Sequence, residues 1–297
     1  MSAAEYLASV LADQKFDDDD QELKDLRAKR QEVETLLRSS FTSCTPSIRY
    51  AGSYAKDTMI RDSYDLDIVC YFDHEDSSAG SSLKQIFDNV HQVLATKYFV
   101  QPKTSALHLE EGAETKRYTH VDVVPGRFTD SSRSDAFIFQ NGAEKHRLKT
   151  NIDTHVSYIR DSGLTDTIRL VKLWRERSGF RAKTFILELL VVDILSGFQK
   201  RPLDEQLVHF WEVLRDRIDD LAVRDPANPE GNDLSDLLAS QKPALQFAAE
   251  TALHTIESSG WEAVFGQHHN RVRDAERATL ISGLSQRKQQ GSRPWSL

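Results

Sequence analysis

Two carboxylates stand two residues apart at the mouth of an apolar run, in Asp65-Leu-Asp-Ile-Val-Cys-Tyr-Phe72. The run is rich in β-branched and aromatic residues and predicts a buried strand over 67–72. Side chains at i and i+2 of a strand project from the same face. Two carboxylates held that close repel, and one of them retains its proton unless a cation sits between them. A hard divalent ion with oxygen ligands suits such a pair. Upstream, Gly52-Ser53 forms a tight turn whose backbone N–H groups and hydroxyl can hold a phosphate.

A third acid, Asp122, interrupts the run Thr119-His-Val-Asp-Val-Val124, in a second strand predicted over 118–124. If this strand pairs beside the first, Asp122 joins Asp65 and Asp67 at one rim. Three carboxylates there can hold two metal ions, which clamp the attacking and leaving oxygens of an in-line phosphoryl displacement. Each feature alone has a plainer reading, since surface strands alternate polar residues and Gly-Ser opens many turns. Together and in this order they point to phosphoryl transfer.

The rest of the chain frames that site. The 297 residues suggest one large domain or two packed lobes. A long amphipathic helix is predicted over 21–39, with Leu23, Leu26, Val33, Leu36 and Leu37 on one stripe. The acidic run at 17–20 reads as its start, because carboxylates favour the positive end of the helix dipole. A helix is expected over 83–96, and Phe137-Ile-Phe ahead of Asn141-Gly142 reads as a strand ending in a turn. From Asp153 the pattern is mostly helical to about residue 285, with a short core-packing helix from Trp261. The expected plan is an α/β lobe with a mixed sheet over 1–150, a helical lobe over 151–286 and a flexible tail over 287–297.

Composition excludes several function classes. With 46 acidic against 38 basic residues the net charge is −8, unsuited to coating long nucleic acid. The most apolar run, 184–195, is broken by Glu188 and Asp193, so no membrane span is expected. Glu5 and the lack of a basic start argue against a secretory signal. Two cysteines, Cys44 and Cys70, are too few for a disulfide framework or a cysteine zinc site, which fits a cytoplasmic protein. His254, His268 and His269 lack zinc-site spacing, and Arg271, Arg273 and Arg277 read as a solvated helix face.

The order Gly-Ser, spacer, Asp-x-Asp and a later lone acid resembles the nucleotidyltransferase superfamily of DNA polymerase beta. The fuller strings Gly52-Ser-Tyr-Ala-Lys-Asp-Thr58, Ile60-Arg61 and Asp65-Leu-Asp-Ile68 are most similar to the cGAS/DncV-like nucleotidyltransferases (CD-NTases) of bacteria. Val121-Asp-Val-Val-Pro125 and Ile168-Arg-Leu-Val-Lys-Leu-Trp174 add to the resemblance, which spans roughly residues 20–270. These relatives of oligoadenylate synthetases make cyclic oligonucleotide signals in antiphage (CBASS) defence.

The resemblance implies that Asp65, Asp67 and Asp122 bind two Mg2+ ions, for which Mn2+ can substitute. It implies that Gly52 and Ser53 touch the donor triphosphate, as does Lys172. Thr184 and Phe185 would serve as the family's hydroxyl and base-stacking aromatic. The plainer readings stand beside these. Arg169, Lys172 and Glu176 could be a solvated face, Thr184 a helix N-cap and Phe185 core. The junction departs from the family, with Ile152 after Thr150-Asn151 where a proline is common. The implied substrates are nucleoside triphosphates, ATP or GTP or both. The implied product is a cyclic di- or trinucleotide received by a separate effector protein, and the enzyme is expected to be a monomer. An RNA-tailing or protein-nucleotidylating transferase is the rival of the same fold. A catalytically dead binding or dimerisation module is the rival of another class.

Overall fold

The computed structural model describes residues 1–110, 120–142 and 146–267. The chain opens with α1 (Ala3–Gln14), started by a capping box between Ser2 and Glu5. The acidic run then leads into α2 (Gln21–Ser40), whose N-cap is Asp20. Its buried stripe of Leu23, Leu26, Val33 and Leu37 lies where the periodicity predicts it.

The α/β part is a seven-stranded mixed sheet. Its strands are β1 (Ser47–Tyr50), β2 (Leu66–Phe72), β3 (Phe99–Pro102), β4 (Leu107–Glu110), β5 (Val121–Phe128), β6 (Ala136–Phe139) and β7 (Arg147–Thr150). The order is β1-β2-β5-β4-β3, and β6 also pairs with β5 and carries β7 on its far side. β2 and β5 run parallel and the other pairings are antiparallel. The one-turn helix α3 (Gly52–Ala55) lies between β1 and β2, and α4 (Leu83–Ala95) covers the sheet beside α2. β5 runs past the predicted end at Val124, because β4 pairs with residues 121–123 and β6 with residues 126–128. Pro125 falls between those two segments, so it costs that edge no hydrogen bond. Tyr118 and Thr119 lie outside the described residues.

The helical part contains α5 (Ile152–Arg160), α6 (Thr165–Ser178), α7 (Thr184–Ile194), α8 (Leu203–Arg217), α9 (Ser235–Ala239), α10 (Lys242–Ser259) and α11 (Trp261–Phe265). Gly179, at φ 69°, ends α6 in the left-handed conformation, where the Ser178-Gly179 break was expected. At the junction the Asn151 side chain caps α5, accepting from the Thr154 amide.

Two main apolar cores support the two parts. One joins α2 and α4 to one face of the sheet through residues such as Leu37, Ile68, Ile86 and Val123. The other surrounds Trp174 and Trp211 and draws in α1 through Tyr6, Leu7, Val10 and Leu11. The N-terminal helix thus packs with the helical part, although α2 packs with the sheet. Trp261 and Phe265 stack near Trp211, as the core-packing reading of that segment requires. Among the described residues no helix is long and apolar enough to cross a membrane, and Cys44 and Cys70 are both buried free thiols. His268, His269, Arg271, Arg273, Arg277 and the 287–297 tail lie outside the described residues. His254 is exposed.

Candidate active site

The parallel pairing of β2 with β5 sets Asp67 directly opposite Asp122. Asp65 immediately precedes β2, two residues before Asp67, so the three acids gather where the two central strands begin. Asp67 is held by burial, and then by the charges of Asp65 and Asp122, at a pKa pushed up to about 7. Lys56 and Lys172 oppose that shift. A carboxyl that keeps its proton so far above the ordinary range occupies a place suited to a cation.

Asp122 already has a cation and an imidazole beside it. Lys103 Nζ donates to both of its oxygens, at 2.9 and 2.7 Å. His108 Nδ1 lies 2.6 Å from Oδ1. Among the described residues no three carboxylate, imidazole or thiol side chains converge as a ready metal cage. The donor set still fits hard divalent ions, being all-oxygen and short of positive charge at Asp67, with an ammonium standing on Asp122.

Gly52 begins a turn that brings the backbone against this cluster. The Ala51 amide donates to the Asp67 carbonyl at 2.9 Å, and Gly52 then turns at φ +55°. Residue 52 has no room for a side chain, because Asp67 fills the space a Cβ would take. Ser53 is buried next to it, and the turn closes with the Thr58 amide donating to the Ser53 carbonyl at 2.9 Å.

Helices α6 and α7 grip the far end of the same turn. Arg169 on α6 pairs with Asp57, which adopts positive φ, and also with Asp166 at 2.8 Å. Lys172, one helical turn on, donates to the Thr58 carbonyl at 2.8 Å and is only 4% exposed. Both residues are buried, which overturns the solvated-face reading for Arg169 and Lys172. Burial lowers the Lys172 pKa, with Glu188 as the chief opposing charge.

Glu188 on α7 is the residue that sequence reasoning missed. It is 1% exposed, accepts from Lys56 Nζ at 2.7 Å and accepts from Thr58 Oγ1 at 3.1 Å. Desolvation pushes its pKa up, but Lys56 and Lys172 outweigh that and hold it below the ordinary value. The available signal was a carboxylate inside the apolar run of α7, which must find a partner when buried.

The last two expected residues sit at the start of α7. The N-cap is Lys183, so Thr184 is the first helical residue rather than the cap, and its hydroxyl accepts from Arg175. Phe185 is half-buried at the margin of the helical core, with the Lys56 ammonium 5.2 Å from its ring and His155 edge-on at 5.2 Å. Phe185 therefore lies within reach of the turn, joined to it through Lys56.

This arrangement has the fold of the CD-NTases. No protein-family model matches the chain, and no curated protein matches it in sequence. Solved structures match it in fold. CdnC of Escherichia coli MS115-1, in its complex with HORMA-deltaN, superposes with a TM-score of 0.66 at 20% identity, over 90% of this chain and 98% of that one. The CD-NTase CdnG of Bradyrhizobium diazoefficiens in complex with GTP gives 0.66 at 15% identity, over 90% and 95%. DncV of Vibrio cholerae, a cyclic AMP-GMP synthase, gives 0.59 at 16% identity, over 90% and 86%.

Proposed function

We propose that the protein is a nucleotidyltransferase that joins nucleoside triphosphates into a cyclic di- or trinucleotide and releases pyrophosphate. The observation that carries this reading is the register of Asp67 against Asp122, with the turn at Gly52 pressed onto the Asp67 carboxylate. A tight backbone turn packed beside paired acids suits phosphoryl transfer, which needs phosphate and acids held together. The fold shared with CdnC, CdnG and a cyclic AMP-GMP synthase supports it further.

In this reading the 52–58 turn cradles the donor triphosphate through its amides and the Ser53 hydroxyl, and Phe185 stacks on the base. The acceptor ribose hydroxyl lies near Asp122. Its oxygen attacks the α-phosphorus, the hydroxyl proton passing toward the Asp122 carboxylate, as the bond to the pyrophosphate oxygen breaks. Asp65, Asp67 and Asp122 would hold Mg2+ or Mn2+, which supplies Lewis-acid activation of the hydroxyl and neutralises phosphate charge. The net charge of −8 suits a site that holds two or three nucleotides better than one that tracks long RNA. Action as a monomer in the cytoplasm, with a separate effector of antiphage defence receiving the product, completes the proposal.

The test is incubation with labelled ATP, GTP, CTP and UTP in magnesium or manganese, then phosphatase treatment and mass identification. Ring closure consumes the last triphosphate, so the product should survive phosphatase and show no terminal phosphate. Label entering only added RNA or protein would replace this reading with a tailing or protein-modifying transferase.

A further inference from the structure

We infer that Glu188 is a positioning residue for the nucleotide-binding turn, acting through Lys56. The inference deepens the nucleotidyltransferase reading and rests on it. Glu188 touches no residue of the acid cluster in the bonds it makes. Its two oxygens go instead to Lys56 and Thr58, two side chains on the same turn. The turn is thereby tied to α7 four residues after Thr184, on the helix face that Thr184 shares.

The tie has a specific consequence. Lys56 is buried between the Glu188 carboxylate and the ring of Phe185. One ammonium therefore sets the distance between the turn that begins at Gly52 and Ser53 and the aromatic ring at the start of α7. A nucleoside triphosphate that lays its phosphates on the turn and its base on the ring must match that distance. With the pair intact the turn is ordered before the ligand arrives. Without it, the turn must be ordered at binding, and affinity falls. Asp67 and Asp122 stand on β2 and β5, with Asp65 just ahead of β2, and Glu188 bonds to none of them, so the chemical step is affected less than binding.

Three variants of the full chain separate positioning from folding. Glu188→Met leaves Lys56 buried without its anion, and the melting temperature should fall by roughly 5–10 °C. Lys56→Met with Glu188→Met removes both charges, and a buried pair replaced by apolar residues of similar length keeps or regains stability. Glu188→Gln preserves shape and one acceptor while removing the charge. The inference expects the double variant to melt above Glu188→Met but below wild type, because Lys172 also loses Glu188 as its chief opposing charge. Its KM for triphosphate should nevertheless stay raised by about tenfold. Glu188→Gln, which keeps the Lys56 charge beside Asp67, should show the raised KM with kcat within about threefold, and the fluorescence-detected affinity for a non-hydrolysable ATP analogue should fall in parallel. A double variant or Glu188→Gln with wild-type KM and analogue affinity overturns the inference while leaving the enzyme reading intact. Wild-type protein that neither binds the analogue nor incorporates any nucleotide overturns the enzyme reading itself, and this inference with it.

Discussion

A Cβ placed on Gly52 would stand 1.6 Å from Oδ2 of Asp67. The two residues share one volume, and glycine at 52 is the condition for an acid at 67. The pairing of β1 with β2 sets Tyr50 opposite Ile68, so the chain leaving β1 passes the start of β2 at once. The turn that should hold phosphate is therefore packed directly on the acid that should hold the cation.

Gly52→Ala tests that packing. A side chain at φ +55° costs about 1–2 kcal/mol by itself, and Asp67 must also swing out of its place. We expect a lower melting temperature and a loss of turnover of about 100-fold or more, comparable to removing a transition-state donor. The rise in melting temperature on adding magnesium should disappear as well. A variant that keeps full turnover would separate the turn from the acid and remove the basis for the proposed site.

The second prediction concerns pH. The Asp67 pKa is raised by burial, Asp65 and Asp122 to about 7, against 3.8 in the unfolded chain. Between those values the fold holds a proton that the unfolded chain releases. The stability this supplies is whole below about pH 4 and is lost as pH rises through about 7, a change of a few kcal/mol. Ion-free protein should therefore melt lower at pH 8 than at pH 6. Asp67→Asn should flatten that slope and melt higher than wild type at pH 8, while abolishing product. Magnesium should raise the wild-type melting temperature more at pH 8 than at pH 6. An unchanged slope in Asp67→Asn would mean that another group controls it.

Much of this site was legible because its parts are local. Asp65 and Asp67 lie at the head of one strand, and the alternation of 121–124 marks the second. Only pairing was needed to bring Asp122 across. Long helices such as α2 and α4 repeat their apolar period often enough to read, whereas β1, β3, β4 and β7 have four residues each, too few for an alternation such as that of β4 to stand out. The burial of the charged residues of α6 and α7 was not legible for another reason. Arg169, Lys172 and Glu188 are polar in sequence yet buried, because their partners at 56–58 come from more than a hundred residues away. Helical periodicity records which face a residue occupies and not what arrives to cover it. Lys103 and His108 were silent likewise, since their role depends on β4 lying beside β5.

Lys103 supports a third prediction. Its ammonium covers both oxygens of Asp122, so a divalent ion and Lys103 compete for the same carboxylate. The lysine side chain is 48% exposed, which limits the strength of the pair. Lys103→Ala should lower the magnesium concentration for half-maximal turnover by about two- to fivefold, the range of an exposed ion pair. A higher magnesium requirement would show instead that Lys103 helps to hold substrate.

The fourth prediction separates two roles for Lys172. Its ammonium donates to the Thr58 carbonyl, and its charge also acts on Asp65 and Asp67, so it stands beside the place where phosphate would bind. As a brace it holds the turn; as a charge it attracts the triphosphate. Lys172→Met keeps most of the buried stem and removes both the hydrogen bond and the charge. A charge-assisted contact to phosphate is worth about 1.5–3 kcal/mol, which corresponds to a KM increase of roughly 10- to 150-fold. We expect that increase for triphosphate, with a smaller loss in kcat if the contact tightens in the transition state. The desolvation that lowers the Lys172 pKa works against the loss of stability, because the methionine needs no counter-charge. The melting temperature should consequently change little while KM rises. A fall in melting temperature with KM unchanged would assign Lys172 to bracing the Thr58 carbonyl alone.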